Sequence, residues 1–164
     1  MIDKDLKNAK ILIVDDLKSN IEVIMGILEL SGYKNIEHTT DSRKVIGLVK
    51  TFNPDLILLD LMMPYLSGFD VMDLIRAEKQ YSFLQNNYLP ILVLTADNSN
   101  EIRLKALAGG AKDFLSKPFD IIEVKLRIKN LLETQYLFQL LKVKNQTLED
   151  KVVSFLKLNN DWYK

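Results

Sequence analysis

The sequence predicts an α/β fold, a doubly wound parallel sheet of five strands with helices on both faces, and three features lead there. Short apolar runs of four or five residues alternate with longer segments whose apolar residues recur at helical spacing. Three of the runs, Ile11 to Val14, Leu56 to Leu59 and Ile91 to Leu94, are apolar on consecutive positions, the pattern of strands buried on both faces in a parallel sheet. The connections between the elements fall at breaks such as Ser31-Gly32, Asn53-Pro54, Gly109-Gly110 and Lys117-Pro118.

The elements follow in order. Lys10 to Val14 (KILIV) is the first strand, ended by Asp15-Asp16; Ser19 is then placed to cap a helix carrying Ile21, Ile24, Met25 and Leu28, stopped by Ser31-Gly32. Asn35 to Thr39 is a second strand, and a helix from Asp41 to about Thr51 turns Val45, Leu48 and Val49 inward before Asn53-Pro54 breaks it. The third strand, Leu56 to Leu59, ends in Asp60 and runs into a Met-Pro loop. Gly68 opens a helix through about Glu78 with Val71, Met72 and Ile75 on one face, and it supplies a backbone conformation that other residues resist. A polar connection, Lys79 to Leu89, leads to Pro90 and the strand Ile91 to Thr95. Asn100 to Ala108 is a short helix closed by Gly109-Gly110, Asp113 to Ser116 is the last strand, and Lys117-Pro118 turns the chain into a helix from near Asp120.

Composition narrows the class of function. The 164 residues are 48% hydrophobic, enough for an ordinary core, and 22 Lys and Arg balance 22 Asp and Glu, so no global field draws the chain to nucleic acid or an anionic membrane. The absence of cysteine excludes disulfides and thiolate chemistry, and one histidine excludes a histidine-rich metal site. The charged start MIDKDLKNAK has no apolar core of a signal peptide and no run reaches membrane-span length, so a cytoplasmic protein is expected.

In such sheets ligands bind outside the carboxyl ends of the strands. Asp15-Asp16, Asp60, Thr95 and Lys117 all fall there. Each has a bland reading alone: caps for the acids, a satisfied strand-end hydroxyl for Thr95, a solvated lysine for Lys117. Together they describe a site. Carboxylates about 5 Å apart repel by about 3 kcal/mol per pair at an effective dielectric near 20, and a divalent cation relieves that strain. Oxygen-only ligands suit Mg²⁺, with Mn²⁺ as a substitute, and such an ion often shares its shell with a phosphoryl oxygen. A lysine charge and a threonine hydroxyl then complete a phosphoryl site that has no nucleotide loop, since neither GxGxxG nor GxxxxGK[ST] occurs.

The segments ILIVDD, DLILLDLMMPYLSGFDV, ILVLTA and GAKDFLSKPF, in this order between Lys10 and Arg127, resemble the receiver domain of bacterial two-component response regulators. The resemblance implies a flavodoxin-like (CheY-like) sheet of order 2-1-3-4-5. It implies that Asp60 is the phosphoacceptor, served by a sensor histidine kinase or a phosphotransfer domain. Asp16 would bind Mg²⁺ directly, Asp15 through water, and Met62 through its backbone carbonyl, with Asp60 completing the set. Lys117 would pair with the phosphoryl oxygens, its bond to Pro118 being typically cis in the family, and Ala96 would leave room for the donor histidine. Thr95 and Phe114 occupy the switch positions: the hydroxyl moves to the phosphoryl group and the ring turns into the space it leaves. The connection Lys79 to Leu89 is longer than the family's, and its Tyr81, Phe83 and Tyr88 either fold back onto the preceding helix or meet a partner. His38, away from the acidic edge, reads as a surface histidine, and Trp162 as part of a helical seam or a frayed end.

The domain boundaries expected are a receiver over 1–127 and an extended helix over 128–164. Ile121, Val124, Ile128, Leu131 and Leu132 are the stripe facing the sheet. Beyond it Leu137, Leu141, Leu148, Val152 and Phe155 follow spacings of three, four and seven, with Lys144 at one seam position, the mark of a coiled-coil homodimer. Lys142, Lys144, Lys151 and Lys157 read as its solvated face. The wording RIKNLLETQYLFQLLKVKNQTLEDKV also resembles linker helices before HD-GYP and GGDEF cyclic-dinucleotide output domains. A haloacid-dehalogenase phosphatase also uses a strand-end Asp but wants an acid where Met62 stands, and a pseudo-receiver would have lost site residues that are present here. No helix-turn-helix follows the receiver, so direct nucleic-acid binding is not expected.

Overall fold

The computed structural model describes residues 6–81, 88–97 and 99–160. Phe83 and Trp162 lie outside them, as do the side chains of Tyr81 and Lys157.

Five parallel strands form one sheet in the order β2-β1-β3-β4-β5, with β1 Lys10–Val14, β2 Asn35–Thr39, β3 Leu56–Asp60, β4 Ile91–Thr95 and β5 Asp113–Ser116. The helices are α1 Lys18–Leu30, α2 Val45–Phe52 (entered through a 3₁₀ turn, Ser42–Lys44), α3 Gly68–Tyr81, α4 Asn100–Ala108 and α5 Ile121–Asn160. The alternation of runs predicts this parallel sheet with helices on both faces, and the resemblance to receiver domains predicts its flavodoxin-like order. The central strands are sealed on both faces, which is why β3 and β4 are apolar at every position up to the Asp60 and Thr95 that end them. Ile11, Ile13, Leu58, Leu92 and Leu94 meet Ile21, Ile24 and Leu28 of α1 and Val124, Ile128 and Leu132 of α5. On the opposite face Leu12, Val14, Ile57, Leu59 and Val93 meet Val45 and Val49 of α2 and Val71, Met72 and Ile75 of α3.

Three expectations need correction. Helix α1 begins at Lys18 with Leu17 at the cap position and no side-chain cap, so Ser19 lies exposed in the first turn. The Asp15 carboxylate takes the Leu17 N–H at 2.9 Å and starts the helix in its place. Ile121 does not join the stripe on the sheet: as the first residue of α5 it is 55% exposed, whereas Val124, Ile128, Leu131 and Leu132 are buried. Gly68 is required for space rather than for conformation, since its φ is not positive. A Cβ there would stand 2.4 Å from the Asp60 carbonyl oxygen and 2.8 Å from the Leu61 Cα, both backbone atoms.

The loop from Leu61 to Ser67 is pinned beside the end of β3. Buried Ser42 donates to the Pro64 carbonyl at 3.0 Å and accepts the Leu66 N–H at 3.1 Å. Tyr65 has φ 70°, and the Arg43 guanidinium stacks on its ring at 3.9 Å.

Helix α5 starts at the carboxyl edge of the sheet and runs back along it. Gln135, buried, is the last of its residues sealed by the body. Tyr88 tilts against Phe138 of α5 with ring centroids 5.5 Å apart, so this aromatic packs on the last helix rather than on α3. From Leu137 on, the described apolar side chains of α5 are exposed. Among the described residues no helix is long and apolar enough to cross a membrane.

Replacing Gly68 by Ala is expected to destabilise the fold by about 1–3 kcal/mol, because backbone atoms cannot turn aside for the new methyl group. Urea unfolding of the two proteins measures this, and an unchanged midpoint would remove the close-packing account of Gly68.

Candidate phosphoryl and metal site

The site forms at the carboxyl edge, where β1, β3, β4 and β5 deliver their last residue or one of the next two along. Oxygens of Asp15, Asp16 and Asp60 all lie within 4.8 Å of one another. Asp15 is fully buried and Asp60 nearly so, while Asp16 is half-buried. The Lys117 Nζ reaches into this group from the end of β5, donating to Asp15 Oδ2 at 2.7 Å and standing 3.1 Å from Asp60 Oδ1. The Lys117–Pro118 peptide bond is cis.

Burial pushes the Asp60 carboxyl above the ordinary carboxylate range, and the Asp15 charge pushes the same way. The Lys117 ammonium and the Met62 backbone oppose them. One lysine against three carboxylates leaves two negative charges unbalanced. That is the charge of one divalent cation, and the donor set of hard oxygens fits Mg²⁺. The residues present therefore fit the ion.

Thr95 is buried at the end of β4, but its hydroxyl is occupied locally. It accepts the Asp97 N–H at 3.0 Å and donates to the Asp97 carbonyl at 3.0 Å, so the strand-end reading of this residue holds in the resting geometry. Thr39 makes the same turn with Asp41 at the end of β2, with bonds of 3.1 and 3.3 Å. Ala96 is exposed at the rim, and Met62 is 72% exposed in the loop after Asp60. A cavity of about 550 Å³ lies beside Thr95, lined by Leu61, Met62, Phe69, Ala96, Asp97 and Ile102. Phe114, half-buried on β5, packs in the same apolar cluster as Phe69 and Ile102. His38 is exposed on the edge strand β2, paired with Ile13 of β1.

Sequence reasoning missed Asn20. Its amide donates to both oxygens of Asp15 at 3.0 Å, holding that carboxylate from the first turn of α1. The available signal was an amide one helical turn beyond an acid pair, next to the first core residue Ile21. The seam residues Leu137, Leu141, Leu148, Val152 and Phe155 are between 50% and 63% exposed, far along α5 from this site.

A flavodoxin-like sheet that gathers three carboxylates and a lysine beyond its strand ends is the frame of a phosphoacceptor signalling domain. The chain belongs to the response regulator receiver domain family, which it matches over residues 11–129. It is 40% identical over 131 residues to the transcriptional regulatory protein YvrH of Bacillus subtilis (strain 168), covering 80% of this chain and 52% of that one. It is 35% identical over 158 residues to the alkaline phosphatase synthesis transcriptional regulatory protein PhoP of the same organism, covering 95% and 62%. The chain thus spans little more than half the length of the curated relatives it matches. Among solved structures it resembles the chemotaxis response regulator CheY4 of Vibrio cholerae, with TM-score 0.66 and 31% identity over 76% of this chain and 98% of that one. The receiver domain of the Francisella response regulator 1452 aligns with TM-score 0.67 and 31% identity, covering 77% and 98%. Receiver domains act in two-component systems with histidine kinases; they accept a phosphoryl group, bind Mg²⁺ through acidic residues and are signalling domains, not enzymes.

The raised Asp60 carboxyl has a consequence for stability. A carboxyl raised in the folded state contributes stability that is present below the ordinary carboxylate pKa and lost as pH rises through the folded value. With divalent cations chelated, Asp60→Asn is therefore expected to melt higher than the parent at pH 7, by a few degrees, and to lose that advantage near pH 4. Thermal unfolding at the two pH values measures it, and an equal or lower melting temperature at pH 7 contradicts the electrostatic account.

Proposed function

We propose that this chain is a phosphorylation switch in which Asp60 accepts a phosphoryl group from a sensor histidine kinase or a phosphotransfer domain. The observation that carries the reading is the Asp60 carboxylate at the end of β3, held beside Asp15, Asp16 and the Lys117 ammonium. An Asp60 oxygen attacks phosphorus, the bond from phosphorus to the donor nitrogen or oxygen breaks, and the donor group leaves with that electron pair. Asp15, Asp16, Asp60 and the Met62 carbonyl would hold Mg²⁺, or Mn²⁺ in its place. When bound, the ion supplies charge neutralisation for the incoming phosphoryl oxygens. Lys117 pairs with one of those oxygens, and Ala96 keeps the approach open. Thr95 leaves its bonds to Asp97 for the phosphoryl group, and Phe114 turns toward the cavity beside Thr95. The Met at position 62, where a haloacid-dehalogenase phosphatase needs an acid, counts against hydrolysis as the main activity.

The receiver occupies 1–127 in this reading, and 128–164 is a helical linker that pairs with a second copy. Support comes from the exposed apolar positions Leu137, Leu141, Leu148, Val152 and Phe155. A stripe of this length left in water is stabilised by a partner helix. The protein would work in the cytoplasm, its dimer relaying the switch to an output. The wording of the linker helix supports a cyclic-dinucleotide output. The names of the two curated relatives given above, transcriptional regulatory proteins, support a transcriptional one.

Intact mass after incubation with Mg²⁺ and acetyl phosphate is expected to show one phosphoryl adduct in the parent and none in Asp60→Asn or without the ion. A parent that stays unmodified while a control receiver is labelled turns the reading to a phosphorylation-independent binding module. Separately, Leu141→Glu with Leu148→Glu is expected to shift the chain from dimer to monomer in light scattering. If the mass does not change, the coiled coil is wrong.

A further inference from the structure

Two guanidinium groups stand over the ring of Phe114. Arg103, from α4, stands over one face with its guanidinium carbon 3.9 Å from the ring centroid. Arg127, from α5, stands 5.5 Å from the same centroid. Two like charges beside one ring would repel, but Arg127 is neutralised. Its guanidinium donates to both oxygens of Asp113 at 2.6 and 2.7 Å and to Glu123 at 2.8 Å. Arg103 makes no ion pair among the described residues, so the ring is what its charge meets. An arginine over an aromatic face is favourable because the guanidinium is planar, weakly hydrated and drawn to the negative face of the ring.

We infer that Arg103 and Arg127 are positioning residues that clamp the Phe114 ring in its resting place and so set how often the switch visits its other state. The inference rests on the switch reading proposed above for Thr95 and Phe114. The alternative place for the ring is the cavity beside Thr95, whose lining residues Phe69 and Ile102 already belong to the cluster in which Phe114 packs. Moving there takes the ring off Arg103, while Arg127 stays tied to Asp113 and Glu123. The contact therefore stabilises the resting conformer alone, and phosphorylation selects the other one. Loosening the clamp raises the population that phosphorylation favours.

The experiment is the rate of phosphoryl-adduct formation on the whole chain with acetyl phosphate and Mg²⁺, followed by intact mass. Arg103→Gln is expected to be phosphorylated about two- to fivefold faster than the parent, the population shift that one exposed cation–π contact supports. Loss of a positive charge by itself would slow capture of an anionic donor, so an acceleration is not a charge effect. In a Phe114→Leu background, which has no ring to hold, Arg103→Gln is expected to leave the rate unchanged. A rate in Arg103→Gln equal to or below the parent's, or the same acceleration in the Leu background, overturns the clamp. A parent that takes no adduct at all overturns the switch reading itself. The Arg103 Nε–H resonance, shifted by the ring current in the unmodified parent and unshifted in Phe114→Leu, checks the contact without phosphorylation; no difference between the two also overturns the clamp.

Discussion

Charge concentrated where water is scarce is the constraint on which the rest of this structure depends. Asp15 and Asp60 are almost wholly buried, Asp16 joins them, and the one cation among them is Lys117. Buried carboxylates are costly unless each finds a donor or a counter-charge. Here the donors come from separate parts of the chain: the Leu17 N–H and the Asn20 amide from the start of α1, and Lys117 from the end of β5. The sheet must therefore close correctly from β1 to β5 before the cluster is satisfied. Even then it stays two charges short among the described residues, a deficit that one divalent ion would balance.

The backbone around the cluster is held as tightly as the charges. Gly68 sits where any side chain would strike the Asp60 carbonyl, which draws the first turn of α3 against the end of β3. Ser42 ties the intervening loop at Pro64 and Leu66. The Met62 carbonyl proposed as a ligand belongs to this loop, so its position is set by contacts that carry no charge. Rigid support of this kind keeps a small ion's oxygen ligands near the geometry it demands.

The strands and the edge carrying the site were legible because parallel buried strands leave a clear pattern, whereas their order came from the resemblance of the motifs to receiver domains. KILIV, LILLD and ILVLT are apolar on both faces, and the polar residues that follow them project from one edge. What escaped the sequence were matters of direction and distance. Ser19 had the chemistry of a cap, but the Asp15 side chain captured the helix start one turn earlier. Ile121 fitted the helical period, yet the first turn of α5 stands clear of the sheet. Gly68 was marked as special for conformation, whereas only three-dimensional proximity to Asp60 shows that space is the reason. Asn20 left only a short-range signal, an amide one helical turn beyond the acid pair, and Arg103 left none, because the Phe114 ring it meets lies on another element.

The same geometry offers a physical route from the site to the far end of the molecule. Thr95 borders both the carboxylate edge and the cavity that the Phe114 ring would enter; the ring touches Arg103 of α4 and Arg127 of α5. Arg127 stands on the same unbroken helix as the exposed seam, and at 1.5 Å per residue Phe155 lies about 42 Å farther along it. A helix transmits a small tilt at its root as a larger displacement at its tip. Val124, Ile128, Leu131, Leu132 and Gln135 are buried against the body and Phe138 rests on Tyr88, so that root is the part the body controls. In the dimer proposed above, a change in how this root seats on the body would alter how two such helices meet.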